Sequence, residues 1–174
     1  MAEKETYIQG LRKAINQINL KDIESLSDFM IFSRDSRIFL CGNGGSACTC
    51  QHWAEDLIKM CGLDVTCLSD NIGAVTAYAN DISYESIFDG QLEAMANTGD
   101  ILIVISGSGK SKNIINAINI ANEIGMMIVA IVGKDGGDIK NMKVNDLIHI
   151  KTDMQHFEDC SLIIGHILTL NMME

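Results

Sequence analysis

Residues 41–56, CGNGGSACTCQHWAED, decide how the rest of the chain is read. The glycines at 44 and 45 build no core. Adjacent glycines in a loop bring the backbone close to something or take up a positive φ. The run before them, RIFLCG (37–42), is short, apolar and β-prone, and the segment after them, Ala47–Met60, has helical spacing. The unit is therefore strand, glycine loop, helix. It is repeated further along: ILIVIS (101–106) leads through SGSGKS (106–111) into the helical segment Ser111–Ile124.

Working outward, three more short apolar runs read as strands: DVTCLS (64–69), MMIVAIVG (126–133) and DLIHIK (146–151). Several are apolar on both faces, as a strand buried between two helical layers must be. Tyr84–Ala96 and a short piece near 137–142 read as helix, and a last helix runs from Met154 with Phe157, Leu162, Ile163, Ile167 and Leu170 apolar. Between Glu3 and Asp35 apolar residues recur every three or four positions, which predicts two amphipathic helices broken near Asn19–Asp22. Alternation of strand and helix predicts a doubly wound, five-stranded parallel sheet in three layers, with an N-terminal helical extension. With no linker or repeat, the expectation is a single domain over 1–174, a helical arm over 1–35 and an α/β core over 36–174.

The composition is that of a globular protein, and its formal net charge of −10 argues against nucleic acid and membrane surfaces as partners. Proline is absent, and nothing in the sequence explains it. The six cysteines never form CxxC and read as reduced, mostly buried thiols of a cytoplasmic protein. No apolar run approaches a membrane span, and the first residues lack the apolar stretch of an export signal.

In an open parallel sheet, ligands bind beyond the carboxyl ends of the strands. Both glycine loops belong there. Hydroxyls, close backbone N–H groups and helix N-termini suit an anion with several acceptor oxygens. A phosphomonoester held by Ser106, Ser108 and Ser111, with Asn43, Gly44, Gly45 and Ser46 closing the other side, is the functional reading. The plainer one is two tight turns with serine N-caps. Neither loop has the GxGxxG spacing, and the position five before Gly109 is Val104, so neither a dinucleotide fingerprint nor a Walker motif is present and no nucleotide cofactor is expected.

His52 and Asp56 stand at i and i+4 on one helical face, a spacing that serves two ligands of one metal, a base with its partner, or a surface pair. His166, set in LIIGHILTL, is flanked by aliphatics and is expected to be buried, with His52 and Asp56 as candidates to face it. Glu158 is eight residues before His166, about 12 Å along a continuous helix. If both reach one site, either the helix starts after Glu158 or a second subunit supplies one of them, and the interface is the favoured reading.

These residues resemble the sugar isomerase (SIS) domain family, in its phosphoheptose isomerase branch. The resemblance is carried by CGNGGSACTCQHWAED, SDNIGAVTAYAND (69–81), SGSGKSKNIINAI (106–118), VGKDGG (132–137) and LIIGHIL (162–168). It implies a flavodoxin-like α/β fold and a homotetramer with active sites between subunits. It implies ketose–aldose isomerisation of sedoheptulose 7-phosphate to a manno-heptose 7-phosphate through an enediol. Asp56 or Glu158 would be the base and His166 the acid. Phosphate would sit on Ser106, Gly107, Ser108 and Ser111, and the sugar on Asn43, Gly44, Gly45, Asn80 and Asp81. Zinc would lie near His52, Asp56, Glu158 and His166. The chain departs from the family pattern at Asp56 (usually glutamate), Glu158 (glutamine), Gly107 (threonine), Lys110 (asparagine) and His156 (arginine). An isomerase of another sugar phosphate, or a non-catalytic phosphosugar sensor or adaptor, are the competing readings.

Overall fold

A computed structural model describes residues 2–173, with side chains from Thr6 onward. Five strands, β1 (Ile38–Gly42), β2 (Val65–Cys67), β3 (Ile101–Ser106), β4 (Met127–Val132) and β5 (Asp146–His149), form one parallel sheet in the order β2-β1-β3-β4-β5. This is the flavodoxin-like order, whose direction of winding reverses between β1 and β3. Both glycine loops leave the sheet at that switch point.

Alternate residues of the strands feed two cores. Ile101, Ile103 and Ile105 of β3 join Ile38, Leu40, Val129 and Ile131 on one face. Leu102 and Val104 join Phe39, Cys41, Ile128 and Ala130 on the other. Helices α2 (Leu20–Phe32), α3 (Gly45–Cys61) and α7 (Met154–Met173) contribute to the first core, and α5 (Asp89–Met95) and α6 (Lys112–Ile124) to the second. No described helix is long and apolar enough to cross a membrane. All six cysteines are free; five are buried and Cys48 is exposed. Burial pushes the Cys41 and Cys50 thiols up, so both stay protonated and unreactive.

The N-terminal helix α1 (Ala2–Ile15) is fastened to α7 by polar contacts. Buried His156 bridges the two helices, Nδ1 pairing with Asp153 Oδ2 at 2.6 Å and Nε2 with the Tyr7 carbonyl at 2.9 Å. Gly10 lies flat against that imidazole, where a Cβ would overlap the ring. The Tyr7 hydroxyl donates to Asp159 Oδ2 at 2.6 Å, and that bond to a carboxylate pushes its pKa up to about 12.

The structure differs from the sequence expectations in three places. The break between the first two helices falls at 16–19, because the Asn19 side chain caps α2 by accepting from the Lys21 N–H. Tyr84–Ala96 is not one helix: a 3₁₀ turn at Tyr84–Ser86 gives way to buried Ile87 and Phe88 before α5 begins. A further helix, α4 (Ile72–Asp81), was not anticipated, and none of its residues is buried. Its apolar stripe, Val75, Tyr78 and Ala79, is only partly buried against the second core and too short to stand out as a periodic pattern.

One contact sets the spacing of α3 and α7. The Trp53 indole is 1% exposed, its Nε1 donates to the Ser161 carbonyl at 3.1 Å, and Gly165 lies against the pyrrole edge. A Cβ at 165 would overlap Nε1, Cδ1 and Cε2, and a buried indole has little room to turn away. Gly165→Ala is expected to destabilise the fold by about 1–3 kcal/mol, typical of overpacking, measured as a lowered urea midpoint at constant slope. An unchanged midpoint would show that the helices part freely.

Candidate active site

The loops after β1 and β3 enclose a cavity of about 120 Å³ lined by Asn43, Ser46, Ser106, Ser108, Ser111 and Glu158, with Gly107, Ile105 and Met154 completing the wall. Two helix N-termini belong to it. Gly44 precedes α3 and Ser111 precedes α6, neither side chain caps its helix, and neither first turn carries an acid. Neither helix end is met by an acid of its own first turn, but the Glu158 carboxyl group lies against Gly45 at the start of α3. Ser106 Oγ accepts from the Gly109 N–H and Ser108 Oγ from the Lys110 N–H, each at 3.2 Å. A hydroxyl so engaged as acceptor keeps its O–H for donation, which is what a phosphate oxygen requires. The bonds of Ser106 and Ser108 are those of a tight serine turn; Ser111, which makes no cap bond, is the hydroxyl that such a turn leaves unused.

The serine loop is braced from behind. Gly109 has φ +63° and packs backbone to backbone on Gly136 and Gly137, where a side chain would overlap the Gly136 carbonyl. The Gly109 carbonyl accepts from the Asp138 and Ile139 N–H groups at 2.9 and 3.1 Å. Lys110 points to Asp135, Nζ to Oδ2 3.8 Å. Gly107 has no room for a β-carbon, because Met154 Sδ occupies that space.

A second constellation lies on α3 and α7, further from the loops. His52 Nε2 and His166 Nε2 are 3.1 Å apart, and Asp56 Oδ2 is 3.5 Å from the first and 3.9 Å from the second. Two ligand atoms about 2.0–2.1 Å from a tetrahedral zinc stand about 3.3 Å apart, so these separations bracket the required edge. Two imidazoles and a carboxylate, with room for a further ligand, are a donor set that fits zinc. Met60, Thr169 and Leu170 complete the surrounding hollow.

His166 is not buried as expected; its side chain is 48% exposed. The face of α7 that enters the core carries Phe157, Cys160, Ile164, Leu168 and Met172, so His166 and Leu170 look outward. Glu158 does not join the histidines. It lies within α7, which is continuous from Met154, so the alternative of a helix starting after Glu158 is excluded, and its carboxylate lines the serine cavity. Asn80 and Asp81 are exposed at the end of α4, bonded to each other at 2.7 Å, and line neither hollow. Sequence reasoning missed Met154, whose role no motif marks, and Asn113, which holds Asn43 and reads as one of several asparagines in α6.

Glycine loops at the switch point of a parallel sheet, opening on a hydroxyl-lined cavity, define a doubly wound α/β protein whose loops stand where this fold binds ligands. Residues 6–133 match the SIS domain family. A phosphoheptose isomerase of Helicobacter pylori is 36% identical over 162 residues, spanning 85% of this chain and 84% of that protein. The solved phosphoheptose isomerase of Neisseria gonorrhoeae superposes with a TM-score of 0.89 at 30% identity over 98% of this chain and 95% of its own. That of Francisella tularensis gives 0.92 at 26% over 98% and 96%. The chain belongs to the SIS domain family, in its phosphoheptose isomerase branch.

Gly45 separates stability from site geometry. Its φ is not positive, so alanine is tolerated there by the backbone and is the better helix former. A Cβ at 45 would, however, overlap the Glu158 carboxyl group, the mobile end of a flexible side chain. Gly45→Ala is expected to leave the thermal midpoint unchanged or raised while cutting turnover at least about tenfold, on the scale of a misplaced acid–base group. Full activity would show that Glu158 has no part in the reaction.

Proposed function

We propose that this protein interconverts sedoheptulose 7-phosphate and a manno-heptose 7-phosphate as a cytoplasmic homotetramer, with each active site where two copies meet. The observation that carries this reading is that each chain presents two separate parts of a site along α3 and α7, which a second copy would bring together. Both helices begin at a cavity suited to a phosphate and carry, farther along, a histidine–histidine–carboxylate cluster suited to proton transfer.

The phosphate and the reacting C1–C2 pair lie at opposite ends of a seven-carbon substrate. The serine hydroxyls and helix N-termini hold the phosphate, so that binding energy from the unreactive end positions the carbonyl. Asp56 takes the proton beside the carbonyl, and His166 carries protons between the two oxygens of the enediol. Asp56 is the more enclosed of the pair, with a side chain 17% exposed, and both imidazoles stand against its outer oxygen. A zinc ion held by His52, Asp56 and His166 would supply polarisation of the substrate oxygens. Glu158 of one copy closes the site against the histidine cluster of another.

The support for assembly is the surface around the cluster. Met60 and Leu170, which line the hollow around the cluster, are exposed, as is Met173 one turn beyond Leu170. Contiguous exposed apolar residues on a soluble chain mark a contact surface.

The test is turnover of sedoheptulose 7-phosphate by metal-stripped protein with and without zinc, alongside His166→Ala and Asp56→Asn. Turnover restored by zinc and lowered by about 10²–10⁴-fold in each variant is expected. Retained sugar-phosphate binding without any turnover would replace the isomerase with a phosphosugar sensor.

A further inference from the structure

The side chain of Asn43 is held by two residues outside the loop it belongs to. Its Nδ2 donates to Asn113 Oδ1 at 2.8 Å, and Asn113 Nδ2 donates back to Asn43 Oδ1 at 2.9 Å, a reciprocal carboxamide pair. The Tyr84 hydroxyl adds a third bond, donating to the same Asn43 Oδ1 at 2.9 Å. Asn113 is 2% exposed in the first turn of α6, and Tyr84 lies in the 3₁₀ turn before α5. Three separate segments of chain therefore converge on one amide at the switch point.

That arrangement determines what Asn43 offers. Its oxygen already accepts two hydrogen bonds and is saturated, whereas its nitrogen has used one of two hydrogens. Asn43 also forms the partition between the serine cavity and a second hollow of about 180 Å³, lined by Gly44, Ser69, Ile72, Tyr84 and Phe88 among others. The Tyr84 turn is itself anchored to α6: Lys112 Nζ meets Glu85 Oε1 at 3.0 Å, and Asn116 Nδ2 donates to the Glu85 carbonyl at 3.1 Å. The contacts that steer the amide thus hang from the helix whose N-terminus faces the serine cavity.

We infer that Asn113 and Tyr84 are positioning residues that fix the Asn43 amide with its spare N–H presented to the anionic substrate. They need not touch the ligand. They keep the acceptor face of Asn43 turned away from a site that a phosphate, itself rich in acceptors, has to share. The inference rests on the anion-binding reading of the serine cavity and extends it to two residues that lie outside both glycine loops.

The experiment measures the dissociation constant of inorganic phosphate by calorimetry, and KM and kcat for sedoheptulose 7-phosphate, in the wild type, Asn113→Ala, Tyr84→Phe, Asn43→Ala and the two double variants. Asn113→Ala is expected to weaken phosphate about threefold to tenfold and Tyr84→Phe about threefold, the usual span for one or two hydrogen bonds. KM should rise in step with kcat less affected. In the Asn43→Ala background neither substitution should weaken binding further, because residues acting through one partner are not additive. Losses that add in that background, or phosphate binding indifferent to both single substitutions, would overturn the inference. Tyr84→Phe carries the test if Asn113→Ala fails to fold. A wild type that binds phosphate but turns nothing over refutes the isomerase and leaves the inference to be decided by the phosphate constants; a wild type that binds no phosphate overturns both.

Discussion

The candidate site depends on how closely α7 can approach α3, and that is set where Gly165 meets the face of Trp53. The residues next in sequence on the two helices are His52, beside Trp53, and His166, beside Gly165. The contact that seals the core and the contact between the two imidazoles are thus neighbours, one turned inward and one outward. The indole is tied at its nitrogen to the Ser161 carbonyl, one turn before Gly165, so the two helices are fixed in translation as well as distance. With the backbones held this way, two exposed histidines meet at 3.1 Å without any buried partner forcing them together. The chemistry of the outer face is borrowed from the packing of the inner one.

The serine cavity follows from the sheet in the same manner. Parallel pairing of β1 with β3, Ile38 opposite Ile101 and Gly42 opposite Ile105, brings the two glycine loops level at the same edge. Beyond that edge the chain cannot continue as strand without filling the space a ligand needs. Gly109 provides the turn, and its close approach to Gly136 and Gly137 transfers the position of the serine loop to the loop after β4. Hydroxyl acceptors satisfied by backbone N–H groups then leave the donors for the ligand. Each step is a matter of backbone geometry, with the side chains added last.

That is why the sheet and the serine loops were legible in the sequence and the disposition of the C-terminal helix was not. The buried strands are continuous apolar runs between turn signals, and all five were found within a few residues of their ends. The serines and Asn43, Ser46 and Glu158 do line one cavity. The sequence around His166 is aliphatic on every side of α7, so no periodic stripe told inside from outside, and its exposure came as a correction. Helix α4 hid for another reason: its stripe of Val75, Tyr78 and Ala79 is short and only partly buried. Asn113 could not be singled out among the asparagines of α6 because its importance lies in one long-range pairing, 70 positions away from Asn43, that no local pattern records. Asn80 and Asp81, carried over from the family resemblance, stand apart from the cavity in the folded chain.

Charge gives the strongest reason to seek the rest of the site outside a single chain. Hydroxyls and helix ends at the serine cavity favour an anion, yet Glu158 is the one ionisable residue in its lining and is itself acidic. The nearby cations are engaged elsewhere: Lys110 faces Asp135 and Lys112 faces Glu85. A phosphate and a carboxylate sharing so small a space repel each other, and helix dipoles alone, worth roughly 0.3–1 kcal/mol each at an exposed terminus, are a modest counterweight. A metal ion held by His52, Asp56 and His166 would bring positive charge to an outward face fringed by exposed Met60 and Leu170. Docking that face of one copy over Glu158 of another would offset the carboxylate, cover the apolar fringe and bring the acid–base cluster to the open end of the cavity at once.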